Sequence, residues 1–277
     1  MKISPPDPGL LSLNTATVRE KWSLREMIQG CARHGIRGIS PWRDKLAQVG
    51  AKEAAKLIRD YGLTVTGLCR GGMFPAADRK GRQAALDDNL RAVEDAATLG
   101  ARCLVLVAGG LPARSKDLPG AREMVRDGIG ELLERARAAG VPLAIEPLHP
   151  MQAADRACIN TLEQALDTCD ALGEGIGVAV DAYHVWWDPK LAQQVARAGK
   201  ERLLAYHICD WLVPTRDLLN DRGMMGDGVI DLPRLRGLME GAGYAGFHEV
   251  EIFSKLDWWQ RDPDEVLRWC KDRHLAT

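Results

Sequence analysis

The sequence predicts an α/β fold, a single-domain (β/α)8 TIM barrel spanning all 277 residues. Three observations lead there. Eight short β-rich runs alternate with longer helical segments. Several runs are apolar almost throughout, as expected of strands buried on both faces of a parallel sheet. No glycine-rich dinucleotide fingerprint follows the first run, which disfavours an open doubly wound sheet. The length agrees, since such barrels take roughly 250 residues.

The elements follow in order. Strand Leu10–Ala16 leads to helix Ser23–His34, with Ser23 as its cap. Strand Gly38–Pro41 precedes helix Asp44–Tyr61, and strand Thr64–Cys69 precedes helix Arg79–Leu99. Strand Cys103–Ala108 is paired with helix Arg122–Ala139, and Leu143–Pro147 with Thr161–Leu172. Gly177–Asp181 then leads to Leu191–Ala198, Leu204–Cys209 to Leu232–Gly241, and His248–Phe253 to Asp264–His274. Glycines at 35, 62, 100, 140 and 243 sit between a helix and the next strand, where a left-handed cap is expected. The longest breaks, Pro112–Gly120 and Trp211–Gly228, follow strands four and seven and so fall on the catalytic face of a barrel.

Composition narrows the function classes. Apolar residues are 46% and charged residues 27%, a globular balance. Net charge is −1 with no basic stripe, so no nucleic-acid partner is expected. The seven cysteines are scattered and none forms C-x-x-C, which argues against a disulfide framework or a thiolate zinc site. Met1–Pro8 lacks the apolar run of a signal peptide, and no stretch reaches the roughly 18 apolar residues of a membrane span. The expectation is a cytoplasmic protein with no membrane partner, with room for a homo-oligomer.

The chemistry is expected where strands end. Four consecutive strands finish in polar residues: Ile145-Glu146-Pro147, Val180-Asp181-Ala182-Tyr183-His184, His207-Ile208-Cys209-Asp210 and Glu249-Val250-Glu251. Taken singly, each carboxylate is a cap or an ion-pair partner and each histidine a packing residue. Together they place ionised groups in an apolar barrel, which is costly unless a cation compensates them. Three oxygen donors and an imidazole suit one divalent metal ion, Mn2+ first, with Mg2+, Co2+ or Zn2+ as alternatives. Period-two alternation puts Glu249 and Glu251 on one strand face, so pattern alone leaves the fourth ligand open between them.

These motifs, with Gly226-Asp227-Gly228-Val229-Ile230-Asp231 and Tyr244-Ala245-Gly246, resemble the xylose isomerase-like TIM barrel superfamily over nearly the whole chain. This is the sugar isomerase/epimerase group that includes ketose 3-epimerases, inosose dehydratases and hydroxypyruvate isomerases. The resemblance implies metal ligands Glu146, Asp181, His207 and Glu251, with Glu251 favoured over Glu249. It implies a sugar or keto-sugar substrate, with proton abstraction next to a carbonyl that the metal polarises. Glu146 and Glu251 would be the acid/base pair, and His184 would contact a substrate oxygen. Arg43 and Arg70, beyond strands two and three, are candidates for binding an anionic group. His149, Trp186 and Trp211 are candidate substrate contacts. Ketose 3-epimerases carry an arginine six residues after the histidine ligand. Val213 stands there, and the nearest arginine is Arg216. Isomerisation, epimerisation and elimination from a keto-sugar or keto-inositol all start from the same proton abstraction. A non-catalytic sugar-binding barrel would not need two acid/base carboxylates. An abasic-site endonuclease would need further metal ligands, which Cys69-Arg70, Ala108-Gly109 and Asp227-Gly228-Val229 do not supply.

Overall fold

The computed structural model describes residues 5–277. Residues 1–4, part of the segment read for a signal peptide, lie outside the described residues. The strands are β1 (Leu11–Asn14), β2 (Gly38–Ser40), β3 (Thr64–Val65), β4 (Leu68–Gly72), β5 (Leu104–Val107), β6 (Leu143–Glu146), β7 (Ile176–Asp181), β8 (Leu203–Ile208), β9 (Asp210–Trp211), β10 (Arg222–Gly223) and β11 (His248–Val250). The helices are α1 (Leu24–His34), α2 (Arg43–Ala47), α3 (Ala51–Asp60), α4 (Arg79–Leu99), α5 (Leu118–Ala138), α6 (Leu162–Leu172), α7 (Ala182–Val185), α8 (Leu191–Arg202), α9 (Leu232–Gly241) and α10 (Pro263–His274).

Nine strands form one parallel sheet in the order β3-β2-β1-β11-β8-β7-β6-β5-β4. Its two ends, β3 and β4, are successive pieces of one chain segment, broken at Thr66-Gly67. The sheet therefore closes on itself as a barrel of eight staves, the third in two parts. All eight expected strands are present: most are shorter than expected, β7 and β8 start one residue earlier, and the third runs on to Gly72.

Local chemistry explains the helix boundaries. Ser23 and Glu26 form a reciprocal capping box at the start of α1, and Gly35 closes it with φ 69°. The helix expected over Asp44–Tyr61 is instead α2 and α3, because Gly50 interrupts it at φ 85°. Helix α5 begins earlier than expected, at Leu118, where Asp117 caps it and Pro119 occupies the first turn. Helix α8 runs on to Arg202 across a break at Gly199, φ 55°.

The main core lies between strands and helices. Inside the barrel the packing residues are small, with Cys69, Cys103, Val105, Ala144, Ala179 and Ala205 forming a separate buried cluster. All seven cysteines are free and buried. Among the described residues no helix is long and apolar enough to cross a membrane. The loop Trp211–Gly228 is not irregular throughout. Strands β9 and β10 pair antiparallel inside it, with Arg222 opposite Trp211. This hairpin folds back over the barrel mouth.

Candidate metal centre

Four strands end at the mouth and deliver the expected quartet. Glu146 closes β6, Asp181 closes β7, His207 lies near the end of β8, and Glu251 follows β11. One ligand atom from each lies within 4.8 Å of all the others, and all four residues are buried. His207 Nδ1 approaches Glu146 Oε1 to 2.9 Å and Glu251 Oε2 to 3.7 Å. The closest of these contacts lacks hydrogen-bond geometry, leaving Glu146 Oε1 and His207 Nδ1 buried without partners. Three carboxylates and an imidazole whose ligand atoms converge on one buried point are what a cation site requires, so the donor set fits a divalent metal.

The structure separates the two candidate glutamates by depth. Glu249 lies behind His207, 3.4 Å from Nε2, the ring nitrogen turned away from the quartet. It is held there by Asn14 Nδ2 at 2.7 Å and Thr66 Oγ1 at 2.8 Å. Glu251 is the carboxylate that joins the quartet. A carboxylate behind a ligating imidazole fixes the ring and raises its basicity.

A cation already reaches the site from the hairpin. Arg222 is 3% exposed. Its Nη1 donates to Asp181 Oδ2 at 2.8 Å and to Glu251 Oε2 at 3.1 Å. Nη2 lies 3.1 Å from His184 Nε2, and the guanidinium stacks over the Tyr183 ring at 4.5 Å. Sequence reasoning missed Arg222, because only the fold of the loop brings it to the mouth. Asp210 holds that loop, accepting from the backbone N–H of Trp211, Gly226 and Ile230 at 2.9–3.0 Å. Gly228 is required in it, since a Cβ there would sit 2.1 Å from Trp211 O. Arg216, the arginine nearest the expected position, is instead committed to the buried Asp221.

The protonation states follow from these contacts. Burial most strongly opposes ionisation of Glu251 and lifts its carboxyl to about 8, against the pull of Arg222 and His207. Burial would raise Asp181 too, but Arg222, His184 and His207 hold it below its usual value. Burial disfavours the His207 imidazolium, yet Glu249, Glu146 and Glu251 outweigh it and raise the ring well above its usual value. His184 goes the other way. Burial takes it down to about 3, despite Asp181. His184 is therefore neutral, and Arg222 Nη2 and the His149 N–H at 3.2 Å both approach its ring nitrogens. A neutral ring accepts from one of them at a time.

A narrow pocket opens above the quartet, lined by Arg70, Glu146, His184, Arg222 and Glu251, with Trp42 and Phe253 as an apolar wall. Other expected contacts lie beside it rather than in its lining. Arg43 is turned away, its Nη1 bonded to Asp88 Oδ2 at 2.7 Å and Nη2 to Oδ1 at 3.1 Å. His149, Trp186 and Trp211 form an aromatic group with Tyr183. Trp211 stacks on Tyr183 at 4.6 Å and lies 5.0 Å from His149 and 5.8 Å from Trp186. Gln152 and Arg156, which line the cavity from the turn after β6, were not anticipated.

Comparison with known proteins agrees with this architecture. A solved protein of Sinorhizobium meliloti 1021 superposes with TM-score 0.96 at 60% identity, covering 98% of each chain. The IOLI protein, solved with a bound zinc atom, superposes with TM-score 0.81 at 21% identity over 96% of each chain. The inosose isomerase of Halalkalibacterium halodurans is 28% identical over 146 residues, 51% of this chain. The match spans about half (50%) the length of that curated relative. A family profile described as xylose isomerase-like TIM barrel matches residues 28–273. With that match over most of its length, the chain belongs to the xylose isomerase-like TIM barrel family.

Proposed function

We propose that the protein is a metal-dependent sugar isomerase/epimerase that moves a proton on the carbon next to a carbonyl of a sugar or keto-sugar. The observation that carries this reading is the convergence of two buried carboxylates, Glu146 and Glu251, with Asp181 and His207 on one small volume below an open cavity. The likeness to a curated inosose isomerase over half the chain supports it.

Glu146, Asp181, His207 and Glu251 would hold the ion, for which Mn2+ is our first choice. When bound, a divalent cation supplies Lewis-acid polarisation of a carbonyl and compensates the negative charge developing beside it. The chain's own groups do the rest. One of Glu146 and Glu251 removes the proton and the other returns one. Arg222 keeps Asp181 and Glu251 in place and offers further N–H donors at the cavity floor. His184, neutral and buried, meets a substrate oxygen without adding charge. Trp42 and Phe253 keep water from one wall, packed edge to face at 5.4 Å. His149, Trp186 and Trp211 form the rim.

The test is product analysis. Chelator-stripped protein is reloaded separately with Mn2+, Mg2+, Co2+ and Zn2+ and offered ketoses, keto-inositols and 3-keto-sugars, with products followed by 13C NMR. A new epimer or isomer, dependent on the metal, is expected. A dehydrated product would place the chain among lyases instead, and saturable binding without turnover would make it a sugar-binding barrel.

A further inference from the structure

The arginines around the mouth are not equivalent. Arg43 is spent on Asp88, and Arg222 on Asp181 and Glu251. Arg70, on β4, and Arg156, on the turn after β6, both line the cavity with Glu146. Neither guanidinium makes a hydrogen bond or an ion pair with any described residue, and the Nε of each is buried without a partner. The two are close enough to oppose each other. Burial lowers the Arg70 pKa most, and the charge of Arg156 is the next largest cause. Gln152 stands on the same turn, where Arg156 N donates to its carbonyl at 3.1 Å. Gln152 is 5% exposed, and its Oε1 is buried with no hydrogen-bond partner.

Two like charges that face one pocket, half-buried and unpaired, repel each other less once an anion lies between them. A planar oxyanion fits there, because each guanidinium offers a fork of N–H donors matched to a carboxylate. A phosphate dianion would bring about twice the charge beside Glu146 into a small cavity. We infer that Arg70 and Arg156 bind a carboxylate carried by the substrate, with Gln152 Oε1 accepting from a neighbouring substrate hydroxyl, which makes the substrate a keto-sugar acid. This rests on reading the mouth as the substrate site and names the substrate class for it.

The test uses three compounds with one carbon skeleton: D-fructose, D-fructuronate and D-fructose 6-phosphate, differing at C6. Their dissociation constants for Mn2+-loaded protein are measured by calorimetry, beside deuterium uptake from D2O. Fructuronate should bind at least tenfold more tightly than fructose. That preference should fall about tenfold in Arg70→Gln and in Arg156→Gln, vanish in the double variant, and persist in the exposed control Arg126→Gln. Equal binding of the three, no binding of fructuronate, preference for the phosphate, or a preference that survives the double variant would overturn the inference. The proton-transfer reading fails separately, if fructuronate binds with the expected preference but none of the three takes up deuterium.

Discussion

His207 and His248 are buried histidines on neighbouring parallel strands, one step apart in register: Glu249 pairs with His207 and His248 with Tyr206. They have opposite electrostatic fates. His207 faces the barrel interior, where Glu249, Glu146 and Glu251 overcome burial and favour the charged ring. His248 faces the helices, where Nδ1 lies 2.9 Å from His274 Nε2, and burial lowers it to about 4. Burial is common to both, so the neighbouring charges decide. Strand alternation sends chemistry to one face and packing to the other. The outward pair answers itself, whereas the inward face gathers the carboxylates and imidazole that could hold a cation.

The largest break of this contrast is Glu251→Gln. It should lower kcat/KM by about 10^3-fold through loss of an acid/base group, while His248→Gln leaves turnover intact and lowers the unfolding midpoint in urea. Next is His207→Gln. It should weaken Mn2+ binding by about 100-fold, read by calorimetry, whereas His248→Gln should leave that affinity unchanged.

The outward pair also sets an acid limit on stability. His248 is lowered to about 4 and His274 to about 3, chiefly by burial. Both stay neutral in the fold while the unfolded chain takes up protons below about 6.5. Their stabilisation is present above that pH and is lost as pH falls toward 4. The expected loss between pH 7 and pH 5 is on the order of 2 kcal/mol for each histidine. Replacing both by glutamine should flatten this part of the urea-midpoint profile, and an unchanged profile would place the acid sensitivity elsewhere. The smallest effect is expected for Glu249→Gln, about a tenfold loss of metal affinity with the fold retained. No loss would mean that the carboxylate behind His207 does not orient it.

How much of this was legible in sequence follows from how local each feature is. The strand-end quartet was readable because four consecutive staves repeat one arrangement, each within a few residues of a β-run. Glu249 and Glu251 could not be separated because they share a face, and only depth along the barrel axis, set by neighbouring strands, puts one behind the ring. Arg222 and Arg156 were not readable because loops bring them in. The path of the first depends on Asp210 gripping backbone groups as far away as Ile230. Arg43 stood in the right place along the chain, but Asp88 of α4 draws it off. The helix expected over Asp44–Tyr61 was periodic enough to read as one, and one left-handed glycine divides it.

The most direct test of the central claim is deuterium incorporation. Mn2+-loaded protein would be incubated in D2O with the ketose, keto-inositol and 3-keto-sugar panel, and the carbon beside the carbonyl followed by NMR. The account predicts metal-dependent deuterium uptake there by at least one member, abolished in Glu251→Gln. A protein with its metal site filled that exchanges no proton in any member, or exchange that persists in both Glu251→Gln and Glu146→Gln, would contradict it.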